Sequence, residues 1–221
     1  MMTKDIFQFL EELKLNNTRE WFAENKKQYE QANKSLLSLV EQVIPIIQRI
    51  DSSVGPLVSK DCVFRIYRDT RFSPDKTPYK TNMGAYFARG GRKSVCAGYY
   101  MHLEPGSSML AGGIWMPEPE ALKKIRQEIY YNSAEFKKLL AEKSFKDYFG
   151  TLSEDGKLKN PPRDFPADFP DIDLLKNKNF TMFHSINDDA VCSDAFPKVL
   201  SDVFTAMKPV NDFLNKAFTI E

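Results

Sequence analysis

Five cationic side chains lie within one short segment of the chain, between Phe64 and Asn82. The segment reads FRIYRDTRFSPDKTPYKTN, and it also contains two prolines and four aromatic residues. The five cations are Arg65, Arg68, Arg71, Lys76 and Lys80. Guanidinium and ammonium groups are common protein ligands of phosphate and carboxylate, so the composition of this segment predicts an anion site.

The two prolines predict that this segment is stiff. Ser73-Pro74 and Thr77-Pro78 each fit a turn in which proline fixes its own φ and restricts the preceding residue. Stiffness matters because two unit charges ~6 Å apart repel by roughly 3 kcal/mol at an effective dielectric of ~20. We therefore expect the five cations to converge on one pocket that binds an anion. The alternative is an internal network in which the arginines pair with Asp69 and Asp75 and stack on aromatic rings.

Charge is distributed unevenly along the chain. The 221 residues contain 31 cationic and 30 acidic side chains, for a formal net charge of +1. Residues 60–93 contain nine of the cations and three of the acids, an excess of six positive charges. A basic face on an otherwise acidic protein predicts a local anion site, whereas a nucleic-acid binder is usually basic overall. Nucleic acid is therefore the less favoured partner.

His102, one of two histidines, is the second candidate for chemistry. The segment VCAGYYMHLEP alternates in hydropathy, which puts His102 on one strand face with Tyr100 and Glu104. If helices cover the opposite face, which carries Tyr99, the His102 face lines a cleft. His102 then serves as a ligand contact and as an acid or base near neutral pH. The alternative, a hydrogen-bonded structural histidine, stays open.

The sequence predicts no metal and no cofactor. Cys62, Cys96 and Cys192 are scattered and odd in number, which favours free thiols and a cytoplasmic location. The aspartates of residues 164–173 lack the calcium-loop pattern, and GGRKS lacks the first glycine of a phosphate-binding loop. No apolar run approaches the ~18 residues of a membrane span, and the N-terminus lacks signal-peptide features, so we expect no membrane partner.

Periodicity predicts the elements that position these residues. Apolar residues at helical spacing predict helices in both terminal segments, with a kink or break at Pro45. The period then changes to two, which predicts antiparallel strands at residues 61–69, 82–89, 94–104 and 108–116. FTMFHSI, near the end of the chain, is a further short strand candidate.

The expected fold class is α+β, with an antiparallel sheet of at least four strands packed by helices on one face. Because no internal repeat or low-complexity linker is present, we expect one domain over residues 1–221. Residues 150–179 are predicted to form an ordered, non-repetitive wrap. Asn17 and Glu20 fit a capping box, and Trp115 is expected in the core.

Five segments of the chain resemble a family known as domain of unknown function 2461. They are YRDTRFSPDKTPYKTN, GYYMHLEPG, GGIWMPEPEALKKIRQEI, FLEELKLNNTREWFAENKKQYE and PPRDFPADFPDIDLLKNKNF. The resemblance covers nearly the whole chain and implies that these segments belong to one domain. The family is uncharacterised, so the resemblance implies no activity, substrate or catalytic residue.

Three functions fit these observations. The first is an enzyme or binder of a small phosphorylated or acidic ligand, which uses the basic segment and the His102 face. The second is a nucleic-acid-interacting protein that uses Tyr67, Phe72 and Tyr79 as stacking groups. The third is an interaction module for an acidic protein partner. The near-neutral total charge favours the first over the second, and the lack of a catalytic motif leaves both the third function and the question of enzymatic activity open.

Overall fold

The structure of the protein is a computed structural model, and it describes residues 2–218. Within that range the chain forms ten α-helices, two 3-10 turns and four β-strands. The helices are α1 (Met2–Leu15), α2 (Arg19–Glu24), α3 (Lys26–Ile50), α4 (Ser59–Cys62), α5 (Pro119–Tyr131), α6 (Ser133–Ala141), α7 (Lys143–Phe149), α8 (Ile172–Leu175), α9 (Asp188–Val191) and α10 (Phe196–Lys216). The strands are β1 (Met83–Phe87), β2 (Gly98–Leu103), β3 (Met109–Ile114) and β4 (Phe180–Ser185). The 3-10 turns cover Ser52–Val54 and Gly91–Lys93.

The four strands form one antiparallel sheet in the order β1-β2-β3-β4. In this register Met101 of β2 lies opposite Ala85 of β1 and opposite Leu110 of β3. Leu110 in turn lies opposite His184 of β4. The first three strands are a meander joined by short connections, and β4 joins from much later in the chain. The predicted α+β class and four-stranded antiparallel sheet are confirmed.

The predicted strand at residues 61–69 is wrong. Its beginning lies in α4, and its only β-type pairings are isolated bridges from Val63 to Ala85 and from Tyr67 to Tyr79. The reason is that the backbone past Phe64 bonds within its own loop: Arg68 N–H donates to Pro78 O and Lys80 N–H to Ile66 O. The alternating pattern therefore belongs to an irregular hairpin. The fourth strand is instead β4, in the short FTMFHSI candidate segment.

Helices pack against one face of the sheet, as predicted. Tyr99, Met101 and Leu103 of β2 are buried on that face, which is covered by α3 and α10. Each large apolar side chain buried there stabilises the fold by about 1.5–3 kcal/mol. Asn211 of α10 donates a hydrogen bond to Gly98 O at 3.0 Å. Because side chains alternate along a strand, this packing sends the intervening residues of β2 to the opposite face.

Helix α3 runs unbroken through Pro45, so of the two expected alternatives, a kink or a break, the break is wrong. A proline in a helix interior removes a backbone hydrogen bond and costs about 3 kcal/mol. The buried stripe of α3 continues on both sides of the proline, through Val40, Val43 and Ile47. This stripe belongs to the same hydrophobic core as α1 and the sheet, and its burial offsets the cost of the proline.

The segment with the five cations, residues 64–82, is hereafter called the basic hairpin. It is held against the N-terminal helices by Asn17, whose side chain accepts from Tyr79 N–H at 3.1 Å and donates to Tyr79 O at 3.0 Å. The Tyr79 ring stacks on Phe22 with a centroid separation of 4.0 Å. The predicted capping role of Asn17 is wrong, because Thr18 caps α2 by accepting from Trp21 N–H. Asn17 is thereby available to hold the hairpin.

We predict that Asn17→Ala lowers the free energy of unfolding by about 1–3 kcal/mol, because both backbone groups of the buried Tyr79 lose their partner. Urea denaturation measures this loss, and amide hydrogen exchange at Tyr79 should become faster. Asn16→Ala is the matched control, since the exposed side chain of Asn16 donates to Glu12 O of α1 and its loss should cost about 0.5 kcal/mol or less. Equal losses in the two variants would contradict the role given to Asn17.

Candidate functional site

The sheet face opposite α3 and α10 forms the floor of a cleft of about 620 Å³. This volume lies in the range of small-molecule sites, and the lining is mainly apolar and aromatic with a few polar groups, as such sites are. The lining residues are Phe64, Lys80, Asn82, Tyr86, Tyr100, His102, Met109, Ala111, Gly112, Gly113, Trp115, Asp155, Thr181 and Phe183. The prediction that the His102 face lines a cleft is confirmed.

A hollow of similar volume, about 650 Å³, lies where α3 and α10 meet, but its lining offers less chemistry. No histidine, cysteine, carboxylate or aromatic ring lines it. Its cations already have partners: Lys198 pairs with Asp202, Lys208 pairs with Asp212, and Arg49 donates to a backbone carbonyl. The cleft over the sheet is therefore the better candidate.

A chain of hydrogen bonds runs along one side of the cleft. Thr81 Oγ1 donates to Glu104 Oε1 at 2.7 Å, and Glu104 Oε2 lies 3.1 Å from His102 Nε2. His102 Nδ1 lies 2.9 Å from the Tyr100 hydroxyl. An ionised carboxylate only accepts, so the proton of a neutral His102 lies on Nε2, and Nδ1 accepts from Tyr100. Strand alternation places all three of Tyr100, His102 and Glu104 in reach of one another.

The environment keeps Tyr100 protonated and Glu104 charged. Burial, together with the nearby charge of Glu104, raises the pKa of Tyr100 to about 12. Burial alone would raise the pKa of Glu104 as well, but hydrogen bonds from Thr81 and His102 outweigh it and hold that pKa below its ordinary value. Near neutral pH, Tyr100 is thus a neutral phenol that donates a hydrogen bond to His102, and Glu104 is an anion that orients His102.

This arrangement can move a proton. A histidine held between a carboxylate and a hydroxyl group can take up the hydroxyl proton, and the resulting imidazolium is stabilised by the carboxylate. His102 is only 9% exposed, and both of its ring nitrogens are hydrogen-bonded. The sequence left open whether His102 is a hydrogen-bonded structural histidine or a residue that lines a cleft. In the structure it is both.

Lys80 is the only one of the five cations that lines the cleft. Its side chain is half-buried, and Nζ lies 5.6 Å from the centroid of the Phe64 ring. Burial and, secondarily, the charge of Arg65 lower the pKa of Lys80. Within residues 2–218, Nζ of Lys80 has no ion pair and no hydrogen bond. Lys80 is thus a partly desolvated ammonium with an aromatic ring as its partner.

The other cations of the basic hairpin do not converge on the cleft. Arg68 pairs with Asp75 and also bonds to Thr77, Arg71 pairs with Asp69 through two side-chain hydrogen bonds, and Lys76 donates to Thr70 O at 2.9 Å. Arg65 is exposed. The predicted convergence of all five on one pocket is therefore wrong, because Arg68 and Arg71 pair with carboxylates of the hairpin and Lys76 bonds to a backbone carbonyl. Hydrogen bonds from the arginines hold the pKa values of Asp69 and Asp75 at about 2.

Several cleft residues were not singled out from the sequence. Tyr86 lies on the same face of the sheet as Tyr100, and the alternation of residues along β1 is sufficient to predict this placement. Trp115 was expected in the core but is 57% exposed at the cleft. Asp155 and Phe183 come from distant segments, and no local pattern links them to β2. They reach the cleft because the segment before α8 runs beside β4, where Ser153 N–H donates to Thr181 O.

The conserved hypothetical protein family DUF2461 matches residues 5–213 of the chain. The chain belongs to this family. No curated protein and no solved structure matches it. The five segments that resemble the family in the sequence lie within or overlap the matched range, so the resemblance is confirmed.

Two further properties of this DUF2461 chain concern metals and membranes. Among residues 2–218, no group of three or more histidine, cysteine or acidic side chains is placed to hold a metal ion, and the three cysteines are unpaired. None of the helices in the same range is both long enough and apolar enough to cross a bilayer.

We predict that Glu104→Gln lowers the free energy of unfolding at pH 7 by about 1–2 kcal/mol, because charged hydrogen bonds from Thr81 and His102 become neutral ones. The pKa of Glu104 is depressed in the folded state, so its stabilising contribution is present above its unfolded pKa and is lost as the pH falls through the folded pKa. The difference in the free energy of unfolding between wild type and variant should therefore become smaller toward acidic pH.

Chemical denaturation at a series of pH values measures this gap. Glu11→Gln, which changes an exposed glutamate on α1, is the control and should follow wild type at each pH. A gap that stays constant from neutral to acidic pH would show that the Glu104 carboxylate does not act through its charge.

Proposed function

We propose that this protein binds or processes a small phosphorylated or acidic ligand in the cleft, and that the acidic group of the ligand contacts Lys80. The observation that carries the proposal is the half-buried ammonium of Lys80, which lines an apolar cleft and has no anionic partner within the described chain. His102, which lines the same cleft, is the second proposed ligand contact.

An anionic ligand would compensate the charge of the Lys80 ammonium. A partly desolvated ammonium is costly unless an anion lies beside it. A ligand anion ~4 Å away contributes about 4 kcal/mol of attraction at an effective dielectric of ~20. Arg65 adds positive potential, since it is close enough to Lys80 to lower its pKa. The basic hairpin thus supplies the ammonium directly and the surrounding field at longer range.

Processing of the ligand remains part of the proposal because a proton donor and acceptor lie beside Lys80. Tyr100 and His102 line the same cleft, and Glu104 orients the imidazole. A ligand held by its acidic group at Lys80 would lie within reach of this hydrogen-bond chain. Acid–base chemistry on that ligand is the reaction type that these groups support.

A second candidate function is recognition of an acidic protein partner by the tip of the basic hairpin. Phe72 is 94% exposed there, and the Arg71 guanidinium lies 5.8 Å from the centroid of its ring. An exposed aromatic residue with an adjacent arginine is typical of interface anchors. Nucleic acid would fit the same tip, but the near-neutral charge of the chain disfavours it.

We also propose a cytoplasmic location, on the basis of the three unpaired cysteines.

We predict that an acid which binds the cleft raises the melting temperature of the wild-type protein. At a concentration one hundred times its Kd, such a ligand adds about 2.7 kcal/mol to the free energy of unfolding. For a domain of this size this corresponds to roughly 5–10 °C. The screen uses phosphate, pyrophosphate, nucleotides and dicarboxylates at constant ionic strength, so that general salt effects cancel.

Two variants of the same hairpin locate the binding site. Lys80→Gln should lose the shift, because the ligand loses its ammonium partner. Arg71→Gln should keep the shift, because Arg71 is exposed and already paired with Asp69. The opposite result, loss with Arg71→Gln and retention with Lys80→Gln, would move the site to the hairpin tip. No shift with any acid in the wild-type protein would refute the proposal.

A further inference from the structure

Tyr86 lies along the surface of the sheet. Its hydroxyl group is 2.8 Å from Cys96 O and 3.1 Å from Gly113 O, although Tyr86 is on β1 and Gly113 is on β3. To reach that carbonyl the ring must cross β2, and it does so at Gly98. A β-carbon built on Gly98 would lie 3.0 Å from Cζ of Tyr86, closer than such contacts normally are.

Tyr100 crosses the sheet in the opposite direction. A β-carbon built on Gly84 of β1 would lie 2.6 Å from the Tyr100 hydroxyl oxygen and 2.9 Å from Cε2. The hydroxyl group is fixed by its hydrogen bond to His102 Nδ1. Each tyrosine thus lies over a glycine of the neighbouring strand, and any side chain at either glycine would displace the ring above it.

The two phenol rings and the small residues of β3 give the cleft a low floor. On the cleft face, β3 contributes Met109 opposite His102 and then the small residues Ala111 and Gly113. The edges of the cleft are aromatic. Phe64 meets Tyr100 edge-on, with ring centroids 6.0 Å apart and planes at 75°, and Trp115 and Phe183 also line the cleft.

The length of the floor leaves room for a ring beside the acid-binding end. Met83, three residues after Lys80, pairs with Leu103, so Lys80 lies toward the His102 end of β2, whereas Gly98 pairs with Gly113 at the end nearer Trp115. His102 is four steps along the extended strand from Gly98, and at ~3.3 Å per step this is roughly 13 Å. An acidic group at Lys80 and one ring system fit within that length.

We propose that the ligand of this cleft is a planar aromatic or heteroaromatic acid, with its carboxylate or phosphate at Lys80 and its ring over Tyr86 and Tyr100. This inference rests on the proposed function and specifies its ligand class. A flat ring meets the two phenol rings over a large area, whereas a puckered ring of the same size meets them at few atoms. The aromatic floor therefore selects for planarity, and Lys80 selects for charge.

Isothermal titration calorimetry with five simple probes tests the two selections separately. Benzoate and cyclohexanecarboxylate share a charge but differ in planarity, and phenyl phosphate and cyclohexyl phosphate form the equivalent phosphate pair. Benzamide has the ring without the charge. We expect each aromatic acid to bind the wild-type protein about tenfold more tightly than its saturated partner, as for other aromatic stacking contacts. Both aromatic acids, benzoate and phenyl phosphate, should bind more tightly than benzamide.

Variants of Tyr100 assign the ring preference to the floor. Tyr100→Phe keeps the ring and loses the hydroxyl group, so it should keep the tenfold preference. Tyr100→Leu loses the ring, so its preference should fall to about twofold or less. If Tyr100→Leu does not fold, the wild-type protein still decides, because stacked ligand ring protons shift upfield in the NMR spectrum and unstacked ones do not.

Each outcome has one meaning. Equal binding of aromatic and saturated acids, or absent upfield shifts, overturns the planar-ligand inference and leaves acid binding at Lys80 standing. Binding of benzamide as tight as that of benzoate overturns the role of Lys80 and leaves the ring preference standing. If none of the five probes binds the folded protein, the planar-ligand inference is overturned.

Discussion

The packing of one face of β2 determines which side chains reach the cleft. Tyr99, Met101 and Leu103 are buried in the core beside α3 and α10, and a strand that buries these residues must present Tyr100 and His102 on its other face. A shift of one residue in the register would send the histidine into the core and the apolar residues into the cleft. The free energy of burial, rather than any polar contact, therefore holds the hydrogen-bond chain of the cleft in position.

The distribution of charge in the basic hairpin follows from a simple competition for counter-ions. Asp69 and Asp75 are in the same turn as Arg68 and Arg71, so these two arginines are neutralised locally, Arg68 half-buried and Arg71 exposed. Lys80 is past the turn, where the chain returns toward β1, and no carboxylate among residues 2–218 forms an ion pair with it. The same hairpin thus has two arginines paired with carboxylates near its tip and, at its base, a half-buried ammonium without an anionic partner in the described chain. This difference is the physical basis for placing a ligand in the cleft rather than at the tip.

The sequence predicts those parts of the structure that depend on local periodicity. The alternation around His102 placed it on the correct face with Tyr100 and Glu104, and the strand patterns located β1, β2 and β3, with β4 in the short FTMFHSI candidate. The prediction failed at residues 61–69, because an irregular hairpin with buried Ile66 and Tyr79 shows the same alternation as a strand. Long-range pairing of the backbone, which no local pattern encodes, decided between the two. For the same reason Asp155 and Phe183 were not foreseen at the cleft.

The central claim is that Lys80 carries the anionic group of the ligand, and the ionisation of Lys80 tests it most directly. A carbon-13 NMR titration of the lysine ε-carbons, with Lys80 assigned by its absence from the spectrum of Lys80→Arg, gives its pKa with and without a bound acid. In the free protein the pKa should lie below the ordinary value for lysine, because the side chain is partly buried. A bound anion stabilises the charged form, so saturation with ligand should raise the pKa of Lys80. An acid that binds and leaves this pKa unchanged would contradict the account.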